Sequence, residues 1–469
     1  MPPRSPLAAP SRAITSLRPE RFSHRRSIHT EDGLTQKVQA TLENRREKGR
    51  LIEPANPQQT AHMVDFGSND TLSLASSGVL RTAFLDELAN HPHFEVGSKS
   101  TRIFEGSTQY LLDLEDHMAQ FHRAESALFF PSGYEANMAI WSTIPQPGDV
   151  VVYDEYIHAS IHDGMRNGRA MTRMFAHNSC ESLRECLLDI RQEFPTVANG
   201  EQTVFIALES FYSMDADMAP VHEMVKLAKE ILPQGDVAFS IDEAHSNGLI
   251  GENGSGFICH YGLEDEFAIR LHTCGKGLGS TGAAVLANPS IRSYLINYAR
   301  GLIFSTAPAF PSLAAVKAGY TVLASKEGEN RRIRLHNNIR HFYETLTGHS
   351  EWAKCVFGGI ISLHTEKTWD AESFNAPIIP LVTELGQAVS LAKKLQKSGY
   401  QVNPVFYPLV PRDKERVRLV IHADNTVAQI EGAVNVIMEW SSERSGGQFG
   451  KSASLVSDED MYQNTAFSD

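Results

Sequence analysis

The feature that most constrains the fold of this chain is a repeated alternation between short apolar runs and helical patterns. Residues 150–153 and 203–208 form apolar runs, as expected of strands that are buried on both faces of a sheet. Elsewhere apolar residues recur every three or four positions, as at Val221, Met224 and Leu227, which predicts amphipathic helices. Further strands are predicted over residues 237–241, 268–272 and 283–286. This alternation predicts an α/β fold built on a large, doubly wound and mainly parallel sheet.

The length of the chain and changes in its sequence pattern predict how it is divided into domains. Its 469 residues are too many for one small domain. After about residue 320, charged helices alternate with short strands, which predicts a smaller C-terminal α/β domain. The predicted parts are a transit peptide or disordered arm at residues 1–30, an N-terminal helical arm at 31–63, a large domain at 64–322, a small C-terminal domain at 323–440 and a disordered tail at 441–469.

The first thirty residues differ in composition from the rest of the chain. They contain six arginines and a single acidic residue, Glu20, and they are rich in serine and alanine. Such a segment is typical of a mitochondrial transit peptide. A plain disordered arm on a cytoplasmic protein is the alternative, and the composition does not separate the two.

Charge, hydropathy and cysteine usage exclude several classes of protein. The chain has 43 basic and 56 acidic residues and a net charge of −13, whereas nucleic-acid binding relies on basic patches. No apolar stretch of the sequence reaches the ~18 residues that a membrane-spanning helix needs. The five cysteines include no C-x-x-C pair, so neither a disulfide framework nor a zinc site is expected, and an intracellular compartment is the default.

Polar side chains follow several of the predicted strands. Asp242 and His245 follow one strand, Lys276 lies among glycines after the next, and His158 follows an earlier one. Because ligands of parallel sheets bind beyond the carboxyl ends of the strands, we expect these side chains to lie close together. A lysine in a glycine-rich loop is by itself more simply a surface residue. The spacings of a P-loop, of G-x-G-x-x-G and of H-E-x-x-H are absent from the sequence.

Pyridoxal phosphate is the cofactor that would use these side chains together. A lysine amine forms a Schiff base with its aldehyde, and a carboxylate pairs with its pyridinium nitrogen. Hydroxyl groups and the backbone N–H groups of a helix N-terminus hold its phosphate, and an imidazole can stack on its ring. The combination predicts a pyridoxal-phosphate site without a metal.

Ordered matches along the chain resemble the α-oxoamine synthases, which are fold-type-I pyridoxal-phosphate enzymes. The resemblance spans residues 64–322, continues more weakly to about residue 440, and implies the fold-type-I transferase architecture with the cofactor in the large domain. Residues 97–106 are most similar to the 8-amino-7-oxononanoate synthase branch. The matching segments are residues 67–70, 97–102, 132–137, 158–160, 209–217, 242–245, 273–277 and 303–306.

The resemblance implies a role for each residue that would contact the cofactor ring. Lys276 corresponds to the Schiff-base lysine, which later acts as the acid and base at the α-carbon. Asp242 corresponds to the partner of the pyridine nitrogen. His245 and Ser213 correspond to hydrogen-bond partners of the phenolic oxygen, and His158 to the stacking imidazole.

The resemblance also implies how the phosphate is held. Thr273 and the backbone at Gly133 and Tyr134 correspond to a phosphate cradle. In the family, the region of Ser305 and Thr306 reaches the phosphate of the neighbouring subunit. A homodimer with shared active sites is therefore implied.

The resemblance is less complete where the substrates would bind. Arg418 corresponds to the arginine that grips the amino-acid carboxylate, a role that suits a bidentate guanidinium. Asn69 lies near the substrate in this interpretation, with helix capping as the alternative. Leu111 stands where the family usually has histidine, and Leu409 where it has threonine. These departures concern the substrate contacts rather than the cofactor residues.

The family reaction is a decarboxylating condensation of a small amino acid with an acyl-CoA, giving an α-aminoketone, CoA and CO2. The branch resemblance favours L-alanine and pimeloyl-CoA, as in biotin synthesis. Alternatives are a sibling synthase that uses glycine or serine with another acyl-CoA, including one of secondary metabolism, or transamination on the same fold. A non-catalytic partner subunit is a further alternative, opposed by the presence of Lys276, Asp242 and His245.

Overall fold

The computed structural model describes residues 33–47, 51, 54, 56–365, 369–407 and 409–445. These residues fall into two compact units that are divided between Ala61 and His62. The predicted transit peptide and most of the predicted tail lie outside the described residues. The predicted boundary between the large and the small domain falls within the second unit and stays a prediction.

The first unit contains two helices of the predicted N-terminal arm. These are α1 (Gly33–Glu47) and α2 (Pro57–Thr60), a single turn. Every residue of α1 is exposed. Its apolar residues Leu34, Val38 and Leu42 recur every four positions, so they form an exposed apolar stripe along a charged helix.

The second unit contains a seven-stranded sheet, a four-stranded sheet and a two-stranded pair. The strands are β1 Val64–Asp65, β2 Ser126–Phe130, β3 Val150–Asp154, β4 Met171–Phe175, β5 Thr203–Glu209, β6 Asp236–Asp242, β7 Phe267–Thr273, β8 Ala283–Ala287, β9 Ile361–Leu363, β10 Ile378–Thr383, β11 Tyr400–Gln401, β12 Asn403–Val405 and β13 Arg416–Val420. The seven-stranded sheet has the order β2-β8-β7-β6-β5-β3-β4. Neighbouring strands from β7 to β4 pair in parallel, which confirms the predicted mainly parallel sheet.

The central strands explain the apolar runs of the sequence. Every residue of β5 after Thr203 is buried, as expected for a strand covered on both faces. The two strands at the edges of this sheet, β2 and β4, are not among the strands that we predict from the sequence. β4 is mostly exposed, so it shows no apolar run.

The connection between β7 and β8 determines where the predicted lysine lies. β8 pairs antiparallel with both β2 and β7. β7 ends at Thr273 and β8 begins at Ala283, so the loop between them is too short for the crossover helix that a parallel pair requires. The loop, residues 274–282, carries Lys276 at the carboxyl edge of the parallel strands.

The remaining elements of the second unit are helices, the parallel pair β1-β11 and an antiparallel sheet with the order β12-β13-β10-β9. Two 3-10 helices cover Glu252–Gly254 and Glu264–Glu266. Among the described residues, no helix has the length and apolar character that crossing a membrane requires. The α-helices are α3 Val79–Asn90, α4 Gln109–Phe121, α5 Gly133–Thr143, α6 Ala159–Asn167, α7 Cys180–Glu193, α8 Pro195–Ala198, α9 Val221–Ile231, α10 Phe257–Tyr261, α11 Pro289–Tyr298, α12 Arg300–Phe304, α13 Phe310–Leu323, α14 Lys326–Thr347, α15 Trp352–Phe357, α16 Ala388–Lys397 and α17 Val427–Ser445.

Helix α17 corrects one predicted boundary. The prediction that residues 441–445 belong to a disordered tail is wrong, because the helix continues through Ser445. Ser441 is buried, and its Oγ donates a hydrogen bond to Ile437 O at 2.8 Å. A serine that bonds to the carbonyl one turn earlier satisfies its hydroxyl inside a helix, so a polar composition does not end the helix here.

A buried ion pair joins α4 to the segment before it and to the large sheet. Arg102 Nη1 and Nη2 donate to the two oxygens of Glu115 at 2.5 Å and 3.0 Å. Glu115 Oε1 also accepts from the backbone N–H of Phe129 at 2.7 Å, and Arg292 Nη2 lies 2.8 Å from Glu115 Oε2. Both members of the first pair are buried. Removing one partner of such a pair leaves the other charged and out of water.

We therefore expect Glu115→Ala to lower the free energy of unfolding by about 3–5 kcal/mol, because Arg102 loses its buried carboxylate. Glu193→Ala removes the exposed partner of Arg173 and serves as the control, with an expected loss below about 1 kcal/mol. Equilibrium urea unfolding followed by tryptophan fluorescence measures both losses. Equal losses in the two variants would contradict a special contribution of the buried pair.

Candidate active site

The carboxyl ends of β3, β5, β6 and β7 meet at one edge of the seven-stranded sheet, beside a cavity of about 310 Å³. Cavities of this size are typical of cofactor and small-molecule sites. Eight of the predicted site residues line it. They are Asn69, Gly133, Tyr134, His158, Asp242, His245, Thr273 and Lys276. The four residues that we expect to lie close together, Asp242, His245, Lys276 and His158, thus line the same cavity.

Lys276 is the only lysine among the residues that line this cavity. Its Nζ lies 2.8 Å from His245 Nε2. Withdrawal from water lowers the pKa of Lys276 to about 8, although the charges of Asp242 and Glu209 act in the opposite direction. Burial also holds the pKa of His245 well below its usual value, so this imidazole is neutral and can accept a hydrogen bond from the lysine.

Asp242 is held in place from two sides at the end of β6. Asn137 Nδ2, from α5, donates to its Oδ2 at 2.8 Å, and the backbone N–H of Ala244 donates to its Oδ1 at 2.9 Å. Asn137 Nδ2 also donates to Ser160 Oγ at 3.0 Å. The carboxylate therefore has a defined orientation toward the cavity that it lines.

His158 is connected to the same hydrogen-bond chain. Ser160 Oγ lies 2.7 Å from His158 Nδ1, and the backbone N–H of Ser160 donates to this nitrogen at 3.2 Å. A backbone N–H can only donate, so Nδ1 acts as the acceptor and a neutral ring carries its proton on Nε2. Desolvation lowers the pKa of His158, which favours that neutral form. The backbone N–H of His158 donates to Glu209 Oε1 at 2.5 Å.

The start of α5 forms a cradle for an anion. Ser132 caps the helix by accepting from Glu135 N at 3.1 Å. A side chain at Gly133 would come within 2.4 Å of Thr273, so glycine keeps the helix start open. In the described part of the chain, the buried hydroxyls of Thr273 and Ser280 have no hydrogen-bond partner, and both residues line the cavity.

These observations test whether pyridoxal phosphate fits the cavity. Unsatisfied buried hydroxyls beside a helix N-terminus suit phosphate oxygens. Lys276 supplies an amine for the aldehyde, and Asp242 supplies a carboxylate for the ring nitrogen. The residues present therefore fit the cofactor.

The structure does not bring four predicted residues to the cavity wall. Ser213 O accepts from Arg418 Nε at 2.9 Å, and Arg418 Nη2 lies 3.3 Å from Oδ1 of Asn69, which does line the cavity. Arg418 therefore contacts a residue of the cavity wall, Asn69, without lining the cavity itself. Ser305 and Thr306 are exposed and lie outside the cavity of their own chain.

Six further polar residues line the cavity without a role predicted from the sequence: Ser132, Asn137, Ser160, Glu209, Ser280 and Thr281. Two signals were available. Asn137 lies one helical turn after Gly133, and Glu209 directly follows the predicted strand 203–208 as Asp242 follows the strand 237–241. Burial, followed by the charge of Asp242, raises the pKa of Glu209 well above its usual value.

The two departures from the family pattern lie in different surroundings. Leu111 is fully buried in the hydrophobic core on α4, whereas Leu409 is largely exposed. Neither residue lines the cavity.

Comparison with known proteins identifies the family. Residues 61–437 match the family described as aminotransferase class I and II. The 8-amino-7-oxononanoate synthase of Emericella nidulans is 42% identical over 80% of this chain and 89% of its own length. The aminoacyl transferase sphA of Aspergillus fumigatus is 39% identical over 84% of this chain and 85% of its own length.

A solved structure of serine palmitoyltransferase with its pyridoxal-phosphate internal aldimine has a similar fold. It covers 88% of this chain and 99% of its own chain, with a TM-score of 0.72 and 25% identity. The fold-type-I architecture implied by the sequence is thereby confirmed. The chain belongs to the aminotransferase class I and II family, and within it to the pyridoxal-phosphate-dependent acyltransferases of the α-oxoamine synthase group.

Proposed function

We propose that this enzyme joins L-alanine to pimeloyl-CoA, releasing CO2 and CoA, and so forms the α-aminoketone of biotin synthesis. The observation that carries the reaction type is the convergence of Lys276, Asp242 and His245 on one cavity at the sheet edge. The choice of substrates is supported by the similarity to the Emericella nidulans 8-amino-7-oxononanoate synthase.

The residues of the cavity have complementary tasks in this proposal. Bound pyridoxal phosphate supplies an electron sink for the α-carbon of the amino acid. The carboxylate of Asp242 keeps the ring nitrogen protonated. Lys276 Nζ, with its pKa lowered to about 8, removes and returns the proton at the α-carbon near neutral pH.

Arg418 is the proposed partner of the amino-acid carboxylate. Its Nε and Nη2 already donate to Ser213 O and Asn69 Oδ1, which fixes the plane of the guanidinium. Its Nη1 makes no hydrogen bond to the part of the chain that the structure describes, so it is available to a substrate. Desolvation lowers the pKa of Arg418 to about 10, and the group remains charged at neutral pH. A carboxylate held this way would orient the α-C–H bond.

A homodimer with shared sites is part of the proposal. Ser305 and Thr306 are exposed outside their own cavity, which supports the interpretation that they reach the phosphate of a neighbouring subunit. The enzyme would act in mitochondria if the arginine-rich first thirty residues are a transit peptide, and in the cytoplasm otherwise.

A second candidate keeps the same chemistry with other substrates. The aminoacyl transferase sphA relatives, at 39% and 37% identity, favour a sibling specificity for another amino acid or acyl chain. A non-catalytic partner subunit is opposed by the complete set of Lys276, Asp242 and His245 in the cavity.

The function is tested with purified protein, each of L-alanine, glycine and L-serine, and a panel of acyl-CoA thioesters. We expect CO2 release only when both substrates are present, with the highest kcat/KM for L-alanine and pimeloyl-CoA. Mass spectrometry of the ketone identifies the product. A higher kcat/KM for another pair would favour the second candidate. No CO2 from any pair, with the cofactor bound, would overturn the synthase assignment.

The lowered pKa of Lys276 predicts how apo-protein captures the cofactor. Only the unprotonated amine attacks the aldehyde, so the rate of covalent capture should rise about tenfold per pH unit below pH 8 and level off above it. Stopped-flow visible absorbance measures this rate. Borohydride reduction followed by peptide mass spectrometry identifies the modified lysine.

Two variants control that experiment. Lys276→Ala should abolish capture, whereas Lys226→Ala, at an exposed helical lysine, should leave the pH profile unchanged. Capture by Lys276→Ala at the wild-type rate would show that another lysine holds the cofactor.

Arg418→Lys is expected to raise the KM for the amino acid at least about tenfold, because an ammonium cannot reproduce the planar fork of a guanidinium. Affinity for pyridoxal phosphate should remain unchanged, since Arg418 does not line the cavity. Steady-state kinetics and cofactor titration measure the two effects. Arg173→Lys, at an exposed arginine on β4, is the matched control. An unchanged KM would remove Arg418 from the substrate site.

A further inference from the structure

A histidine outside the cavity is held between two carboxylates. His177 Nδ1 lies 2.8 Å from Asp154 Oδ1, and His177 Nε2 lies 2.8 Å from Asp217 Oδ2. Asp154 ends β3, and Asp217 lies in the segment that follows β5. His177 therefore joins two strand-end segments of the same sheet edge.

The surrounding donors show that both carboxyl groups act as acceptors. Asp154 accepts from the backbone N–H of Tyr156 at 2.9 Å and from that of Asn178 at 2.8 Å. Asp217 Oδ2 accepts from Asn178 Nδ2 at 2.9 Å. Each ring nitrogen of His177 thus faces an oxygen that already accepts hydrogen bonds, and this arrangement favours a hydrogen on both nitrogens. The ring is then an imidazolium.

The charges around His177 also favour the imidazolium form. Burial alone would lower the pKa of His177, but the hydrogen bonds to Asp154 and Asp217 and their charges raise it to about 10. Burial opposes ionisation of Asp217, but its hydrogen bonds to His177 and His364 hold its pKa below the usual value. The other titratable or charged groups that face this cluster are Glu155, Tyr156, Tyr212, Asp215, His364 and Arg416.

Three cations hold the segment 213–217 at alternate residues. Arg418 Nε donates to Ser213 O, as described above. Arg416 Nη1 donates to Asp215 Oδ1 at 2.7 Å, and His177 binds Asp217. Two of these cations come from β13, and the third comes from the loop after β4. The segment is thus fixed from both sides.

Tyr156 connects His177 to the segment that carries His158, the predicted stacking histidine. Tyr156 stacks on the His177 ring with a centroid distance of 4.3 Å and an interplanar angle of 27°. Its backbone N–H donates to Asp154, and it lies two residues before His158. His177 therefore contacts both the segment that carries His158 and the segment that Arg418 binds.

We propose that His177 is a positioning residue that stays an imidazolium and ties the His158 segment to the segment 213–217. Its effect on catalysis rests on the proposed function, because His158 and Arg418 act there. The tie itself is a property of the apo-protein and can be tested without cofactor or substrate.

Asp217→Asn is the informative variant. Asp217 Oδ1 has no hydrogen-bond partner in the described part of the chain, so an amide NH2 can take its place without facing a donor. The remaining oxygen still accepts from His177 and Asn178. The substitution removes one charge and should lower the His177 pKa below its wild-type value.

The sign of the effect follows from this change. Wild-type His177 keeps its proton between pH 6 and 9, so the tie is constant there. In Asp217→Asn the tie is present at pH 6 and is lost as pH rises through the lowered pKa. We expect the ratio of variant to wild-type Kd for pyridoxal phosphate to stay near 1 at pH 6 and to reach at least about tenfold at pH 9. The Tm of the wild-type apo-protein should exceed that of Asp217→Asn most at pH 6 and by less at pH 9, because native wild-type protein keeps a proton that the native variant releases.

Matched variants separate charge from shape. His177→Gln removes the charge at every pH, so its loss of affinity should not depend on pH, whereas its loss of Tm should narrow as pH rises toward the raised pKa of wild-type His177. Asp189→Asn removes an equal charge from the exposed face of α7. It should leave the Kd ratio at 1 and the Tm unchanged. A loss of cofactor affinity in Asp217→Asn that does not depend on pH, or no loss of affinity at all, would overturn the proposal.

If Asp217→Asn does not fold, the wild-type protein can still test whether His177 is an imidazolium. NMR of apo-protein labelled with 15N-histidine should show one imidazolium that does not titrate between pH 6 and 9. Titration of every histidine across that range would overturn the proposal. If wild-type protein fails to bind pyridoxal phosphate, the proposed function falls, whereas the Tm and NMR series still test His177.

Discussion

The candidate site depends on one electrostatic constraint, which is the withdrawal of Lys276 from water beside Asp242. Removing a charge from water disfavours the charged form, whereas a neighbouring carboxylate favours it. Here the first effect is the larger, so the pKa of the lysine falls to about 8. The sheet makes this possible, because β6 and β7 end at one edge and the short loop to β8 returns the lysine to it. The topology thus sets the chemistry of the amine.

Two arginines on β13 connect the four-stranded sheet to this edge, and their environments differ. Arg416 and Arg418 are two residues apart, so both side chains leave the same face of the strand. Arg416 is fully buried and donates to Asp215 and to Met214 O, so it serves packing and charge compensation. Arg418 contacts Ser213 O with Nε and Asn69 Oδ1 with Nη2, and Asn69 lines the cavity. One face of β13 therefore carries both a buried structural arginine and the arginine that we propose for the substrate carboxylate.

Much of the fold and of the cofactor site could be predicted from the sequence, for identifiable reasons. Asp242, His245 and Lys276 each follow an apolar run, and parallel strands end at a common edge, so their proximity followed. β4 could not be predicted in the same way, because this edge strand is mostly exposed and lacks the apolar run of a central strand. The end of α17 was missed because buried serines satisfied their hydroxyls within the helix.

The sequence by itself determined the central strands of the sheet, the cofactor chemistry and the order of the residues that supply it. Those features depend on residue type and local pattern. Only the tertiary structure decided that Asn137 orients Asp242, and that His177 lies between Asp154 and Asp217. A hydrogen bond forms within about 3.2 Å and at a defined angle, so it exists only after helices have packed on the sheet. No local pattern carries that information, because the partners come from separate elements that only packing brings together.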